Sequence, residues 1–378
     1  MSLKSLSYTE FDNNPRHWKL ESCDFTQINL IVGRNATGKT RLMNVINNLC
    51  KILSVRTTEV YLSGTYQTEI VLSGKTYALC LEFASGHVIK ELLEVDGNQR
   101  LIRNADGKGK IYYDQEKKFI EFQVPPTTIA IQQRRDELQH PFVVELSNWA
   151  GGCQAYLFGS SLGKDRVVGL AELQALVAKQ ESPSDTENLI GTYLKAFDQY
   201  GEPFDKAIIR DMGQLGYELT DVGTDDMRQF PFNQSKLPEP VIGMFVREKD
   251  RDAMLPQVFM SQGMFRALAL VIHINVASFG GQRTLVLVDD IGEGLDFERS
   301  ASLIDVLTHH AKESGLQIIM TTNDRFVMNR VPLEYWSLLR RTGSTVHAYT
   351  ERNSPDEFTE FKYMGLSNFD LFTSETFQ

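Results

Sequence analysis

Apolar positions along the chain recur with two different periods, and the switches between them lay out its elements. Ile28-Asn29-Leu30-Ile31-Val32 is a short, nearly continuous apolar run, as a strand buried on both faces requires. Leu42, Val45 or Ile46, Leu49 and Leu53 follow at helical spacing. Residues 57–124 read as a string of antiparallel strands. Within them Tyr77, Leu79, Leu81 and Phe83 alternate with small or polar neighbours, and Asp96-Gly97-Asn98 and Asp106-Gly107 supply turns. Residues 128–131 predict a further strand. Between 151 and 214 the pattern turns helical: Leu170, Leu173 and Val177 form one stripe, and Leu189, Tyr193 and Phe197 form another after an Asp185 cap. Residues 220–240 are polar and proline-rich and read as loops. A longer apolar run over 267–277 predicts a buried helix, and Leu285-Val286-Leu287-Val288 and Gln317–Thr321 predict buried strands. There is no internal repeat and no heptad run long enough for a coiled-coil arm.

Composition narrows the class. The 378 residues, 42% hydrophobic and 23% charged, suffice for a large core or a core with a sizeable insertion. No apolar run approaches the ~18 residues of a membrane-spanning helix. The first residues lack the apolar stretch of a signal peptide. Cys23, Cys50, Cys80 and Cys153 are scattered without a C-x-x-C pair, so the expected setting is a reducing cytoplasm with free thiols. A net charge of −10 argues against a broadly basic nucleic-acid binder, leaving local basic patches as the route to nucleic acid.

Chemistry enters between the first strand and the first helix. Gly33-Arg34-Asn35-Ala36-Thr37-Gly38-Lys39-Thr40 fits G-x-x-x-x-G-K-[ST] in the strand–loop–helix context that a phosphate loop needs. Its glycines let backbone N–H groups wrap phosphates, the helix start adds partial positive charge, and Lys39 reaches the outer phosphates. The Thr40 hydroxyl is placed to ligate Mg²⁺. A nucleoside triphosphate, ATP, is the expected ligand. Downstream, the apolar strand of residues 284–288 ends in Asp289-Asp290, at the carboxyl edge where ligands of parallel sheets collect. Asp289 is expected to hold Mg²⁺ through water, and Asp290 to orient or deprotonate the attacking water. Just upstream, Met260-Ser261-Gln262-Gly263-Met264-Phe265-Arg266 opens the apolar helix with a capping serine.

A phosphate loop, a serine–x–glycine helix start, an acidic strand and a following Asp-containing loop, in that order, resemble an ABC-type ATPase head. The resemblance points to the SMC/RecF-like branch and to the OLD-like ATPases of anti-phage systems such as Septu, Gabija and PARIS, with Leu333-Glu334-Tyr335-Trp336-Ser337-Leu338 in keeping. It implies an α/β fold: an ABC-type P-loop ATPase head with an antiparallel β subdomain and a helical lobe, but no coiled-coil arm. The expected organisation is an ATP-binding lobe over 1–150, a mainly helical lobe over 151–260, and the signature helix, acidic strand and D-loop over 261–378.

The family pattern assigns further roles. Ser261 and Gly263 fall in the signature motif, with Ser261 meeting the γ-phosphate of ATP held by a second subunit. Gly294-Leu295-Asp296 becomes the D-loop, with Asp296 near the interface. Gln132 or Gln133 is the Q-loop glutamine. Asp290 stands where glutamate is usual, and Asn323 where a γ-phosphate histidine is usual. Asp is one methylene shorter than Glu, and Asn cannot carry a proton near neutral pH, so slow turnover is expected. Glu293 reads as an exposed loop residue that could lend a longer carboxylate.

Other conspicuous residues read plainly. Arg134-Arg135 with Asp136-Glu137 looks like a solvated, charge-paired face, and His309-His310 a helix surface. Phe358, Phe361, Tyr363, Phe369, Phe372 and Phe377 are expected to pack a terminal element onto the head, with docking of a partner by an exposed subset as the alternative. The expected function is an ATPase that dimerises on ATP and controls a separate effector, such as a nuclease or toxin, in anti-phage defence. A RecF-like DNA-repair or chromosome-maintenance ATPase and, behind it, a transporter ATP-binding subunit are the alternatives.

Overall fold

The computed structural model describes residues 1–169, 171–173, 186, 188–229, 240–251, 253–281 and 284–374. Five strands lie side by side and parallel, in the order Gln154–Leu157, Leu285–Asp289, Gln317–Thr321, Ile28–Gly33 and Trp336–Thr342. Thr345–Tyr349 turns back on the last of these and pairs in parallel with Trp18–Asp24. From there the ladder continues antiparallel through Ser2–Glu10 and six further strands, Ser63–Leu72, Lys75–Ala84, His87–Val95, Asn98–Arg103, Lys108–Tyr113 and Lys118–Gln123. The string of strands expected over 57–124 is therefore present.

The central strands are mainly apolar because both faces are covered, with Asn29, Gln317 and Thr321 as buried polar exceptions. Leu30, Val32, Val286 and Val288 point into one core, while Ile31, Leu285 and Leu287 point into the other. The helix Lys39–Leu53 covers the second face with Leu42, Val45, Ile46, Leu49 and Leu53, joined by Pro141–Gly151. Gln262–Phe279 lies in the first core, against Leu189–Tyr200, Glu202–Gln214 and Phe297–Ser314. It is the one described helix long and apolar enough to cross a membrane, and 78% of it is buried in this core. Among the described residues the longest helices have 18 residues, and none extends into a coiled-coil arm.

Three segments depart from the periodicity. Residues 128–131 do not form a strand; Ala130–Gln133 is a helical turn. The buried Glu91 carboxylate decides this by accepting the N–H groups of Ala130 (2.7 Å) and Ile131 (3.1 Å), while Arg103 balances its charge. Part of 220–240 is not a loop, since Leu219–Asp226 pairs antiparallel with Val241–Glu248 in a small second sheet. Leu219 and Val222 supply its buried contacts, too few to stand out from the polar neighbours. The stretch from 151 opens with the strands Gln154–Leu157 and Val168–Gly169, and the helical stripe holds from Leu189. Leu170, Val177, Asp185 and Phe377 lie outside the described residues.

His309 is exposed as expected, but His310 is buried because Phe297–Ser314 turns it toward a carboxylate. Asp211 accepts from His310 Nε2 (2.8 Å) and Asn275 Nδ2 (2.7 Å), while His310 Nδ1 meets Ser278 Oγ at 2.8 Å. Burial opposes the Asp211 charge, but hydrogen bonds from His310, Asn275 and Arg210 outweigh it and hold the carboxyl below its ordinary range. A depressed carboxyl stabilises the fold above its unfolded pKa and loses that contribution as pH falls through the folded one. Asp211→Ala, which strands these partners, should cost about 3 kcal/mol in urea denaturation at neutral pH. The difference from wild type should shrink in acid.

Candidate functional site

The loop after Ile28–Gly33 folds as a cradle. Ala36 and Gly38 adopt φ of 64° and 110°, so successive N–H groups turn inward. Gly38 needs its missing side chain for a second reason: a Cβ there would lie 3.1 Å from the Trp18 ring. Thr37 Oγ1 donates to the Arg34 carbonyl at 2.8 Å and braces the turn. Arg34, Asn35 and Ala36 are exposed at its crest, with the Ala36 carbonyl accepting from Arg341 Nη1.

Lys39 begins the helix, is buried, and donates to the Gly33 carbonyl at 2.7 Å, folded back across the loop. Burial pushes its pKa down, while Asp290 and Asp289 pull it up. Lysine and both aspartates therefore share one electrostatic site, although 250 residues separate them in sequence. Thr40, one residue on, is exposed in the first helical turn.

Thr321 organises the acidic side. At the carboxyl end of the neighbouring strand, its Oγ1 donates to Asp289 Oδ1 (2.5 Å) and accepts the Asp290 N–H (2.8 Å). This fixes the Asp289 carboxylate and turns Asp290 out of the ladder at φ 55°. Asn323 Nδ2 donates to Asp290 Oδ1 at 2.9 Å, so the two positions that depart from the family pattern touch each other. Burial and then the Asp289 charge raise the Asp290 pKa, against Lys39 and Asn323. A carboxylate with raised proton affinity, held by one amide, is suited to take a proton from water. Thr40 and Asp289 offer the hard oxygen donors that Mg²⁺ takes, and the Thr321 bond orients one of them, so this donor set fits the ion.

The helix start at residues 261–264 is assembled against the loop that follows Asp290. Ser261 caps its helix, accepting the Met264 N–H at 3.1 Å, and is exposed. A Cβ on Gly263 would lie 2.3 Å from the Gly294 carbonyl, so glycine alone permits this approach. Asp296 ends the loop as the N-cap of Phe297–Ser314, accepting the Arg299 N–H at 3.0 Å. Arg266 binds the parts together. It is buried and donates to the carbonyls of Gly159 (2.7 Å), Ser160 (2.8 Å) and Glu293 (3.1 Å). Sequence reasoning gave Arg266 no role; a lone arginine opening an apolar helix was the available signal.

Gln132 is not brought to this site. Its side chain donates to the carbonyls of Ile52 and Thr57, both at 2.8 Å, closing the far end of Lys39–Leu53. At 1.5 Å rise per residue that end lies about 20 Å from Lys39. Gln133 is exposed on the same turn. The loop beside the acidic strand is instead residues 158–161, where the Phe158 N–H donates to the Asp289 carbonyl and no glutamine stands. Glu293 is exposed and reaches toward Gly159.

No family model matches the chain, and no curated protein matches it. Solved structures do. An SMC head bound to the C-winged helix domain of ScpA aligns over 92% of this chain and 97% of its own, at 12% identity and a TM-score of 0.57. The SMC head domain from Thermotoga maritima aligns over 93% and 99% at 14% identity, with a TM-score of 0.45. An Smc head with an extended coiled coil, bound to the C-terminal domain of ScpA derived from Pyrococcus furiosus, aligns over 95% and 99% at 11% identity and a TM-score of 0.49. The first of these establishes an SMC head-like α/β fold for nearly the whole chain.

Proposed function

We propose that this chain binds MgATP, dimerises on it, and hydrolyses it slowly. One observation carries the reading: the phosphate cradle and Lys39 share a site with a Thr321-fixed Asp289 and an Asp290 of raised proton affinity. Backbone N–H groups and Lys39 hold the phosphates. Thr40 and Asp289 would hold Mg²⁺, which would supply neutralisation of phosphate charge. Asp290 accepts a proton from water, and Asn323 keeps its carboxylate oriented. Slow turnover fits a short carboxylate and an amide that moves no proton.

The exposed start of the signature helix motivates the dimer. Ser261 and Gln262 are exposed at the positive end of a helix dipole, which suits phosphate held by a second copy. We extend the reading to control of a separate effector, a nuclease or toxin in anti-phage defence; this part rests on the resemblance of the motif set.

Complementation tests the composite site. Ser261→Arg should leave ATP binding by the monomer intact but abolish hydrolysis, as should Lys39→Ala through loss of ATP. Mixing the two variants should restore about a quarter of wild-type hydrolysis, because half of randomly formed dimers carry one intact site of two. No recovery on mixing, or loss of monomer ATP binding in Ser261→Arg, overturns the shared site.

A further inference from the structure

We propose that Ser278, His310 and Asp211 form a second reactive site on this chain, in which Ser278 is a nucleophile toward short carboxylic esters. It lies apart from the phosphate cradle. Ser278 stands near the end of the helix that Ser261 caps, about 25 Å from that serine at 1.5 Å rise per residue.

Three helices bring the groups together: Gln262–Phe279 carries Ser278, Phe297–Ser314 carries His310 and Glu202–Gln214 carries Asp211. Ser278 Oγ lies 2.8 Å from His310 Nδ1, and His310 Nε2 lies 2.8 Å from Asp211 Oδ2. Asn275 Nδ2 (2.7 Å) and Arg210 Nε (2.8 Å) also donate to this carboxylate and fix its orientation. An ionised carboxylate only accepts, so Nε2 carries the ring proton and Nδ1 keeps its lone pair for the serine hydroxyl. A hydroxyl bonded to a base that a third group orients is the arrangement that activates serine, and geometry rather than chain order identifies it. A purely structural bond needs no opening to solvent. Asp211 and His310 are indeed buried, yet Ser278 is only half-buried and lines a surface cleft of about 490 Å³.

The cleft names the substrate class. Pro203, Ala207 and Phe279 give it apolar wall, and Lys206 and Arg210 line it with cations. Ser278 Oγ attacks the ester carbonyl carbon while His310 Nδ1 takes the hydroxyl proton. The cations offset the negative charge that gathers on the carbonyl oxygen. The bond from acyl carbon to alcohol oxygen then breaks, and His310 returns the proton to the departing alcohol. Water, deprotonated by His310 in the same way, releases the carboxylic acid and restores Ser278. Asp211 touches no substrate; it positions the ring and stabilises the imidazolium.

The test treats the full chain with p-nitrophenyl acetate and, separately, with a fluorophosphonate, whose phosphorus loses fluoride to an activated serine. Wild type should release p-nitrophenolate, and peptide mass spectrometry should place the phosphonyl group on Ser278. Ser278→Ala should keep its thermal melt and ATP affinity but take no adduct, with ester hydrolysis falling at least a hundredfold. Asp211→Asn should lower kcat for the acetate ester roughly a hundredfold at unchanged KM, a split that loss of a merely structural bond does not produce. A wild type that takes no adduct, or takes it on another residue, overturns the site without recourse to any variant. Hydrolysis that survives in Ser278→Ala, or an unchanged kcat in Asp211→Asn, overturns it as well.

Discussion

Asp290→Asn should slow single-turnover ATP hydrolysis by about 10² or more, the range lost when a positioned general base is removed. The shape of the side chain and its contact with Asn323 can persist, so ATP affinity should change little. The closed dimer should live longer, because hydrolysis is what reopens it. Rapid-quench measurement of product with enzyme in excess over ATP decides the matter. Wild-type rates in this variant would transfer the role to another carboxylate, with Glu293, exposed beside Gly159, the first to test.

Lys39→Ala should weaken ATP binding ten- to hundredfold, the equivalent of losing a charge-assisted contact of ~1.5–3 kcal/mol. The structure sharpens what else to expect. Lys39 is buried, and its ammonium is bound to the Gly33 carbonyl while sharing a site with two carboxylates. Without it Asp289 and Asp290 lose their nearby positive charge, and the Asp290 pKa should rise further. Calorimetric titration with a non-hydrolysable ATP analogue, beside a thermal melt to confirm folding, measures the effect. Unchanged affinity in a folded variant would remove the nucleotide assignment.

How far the sequence reached follows from the distance over which each feature is determined. The strand–loop–helix cradle was legible because a buried strand, a glycine-rich turn and an amphipathic helix succeed one another within Ile28–Gly33 and Lys39–Leu53. The Ser261 cap was legible for the same reason, its partner Met264 being three residues away. Asp289-Asp290 was legible as an acidic end to an apolar strand. These features depend on local backbone geometry and on side-chain periodicity, both of which neighbouring residues fix.

Features that depend on which elements lie side by side required the tertiary structure. Thr321 fixes Asp289 from 32 residues away, on an adjacent strand, and nothing in its own neighbourhood marks it. Arg266 reaches Gly159 across 107 residues. Gln132 sits in a plausible place in the chain, yet packing sends it to the wrong end of the helix Lys39–Leu53. Glu91, 39 residues from Ala130, turns an apparent strand into a helical turn by satisfying two backbone N–H groups. Local pattern thus determined the presence of the cradle, the acidic strand and the capped helix. Their convergence on one electrostatic site was decided by strand order in the sheet, because a buried donor or acceptor is satisfied by whatever the packing places beside it.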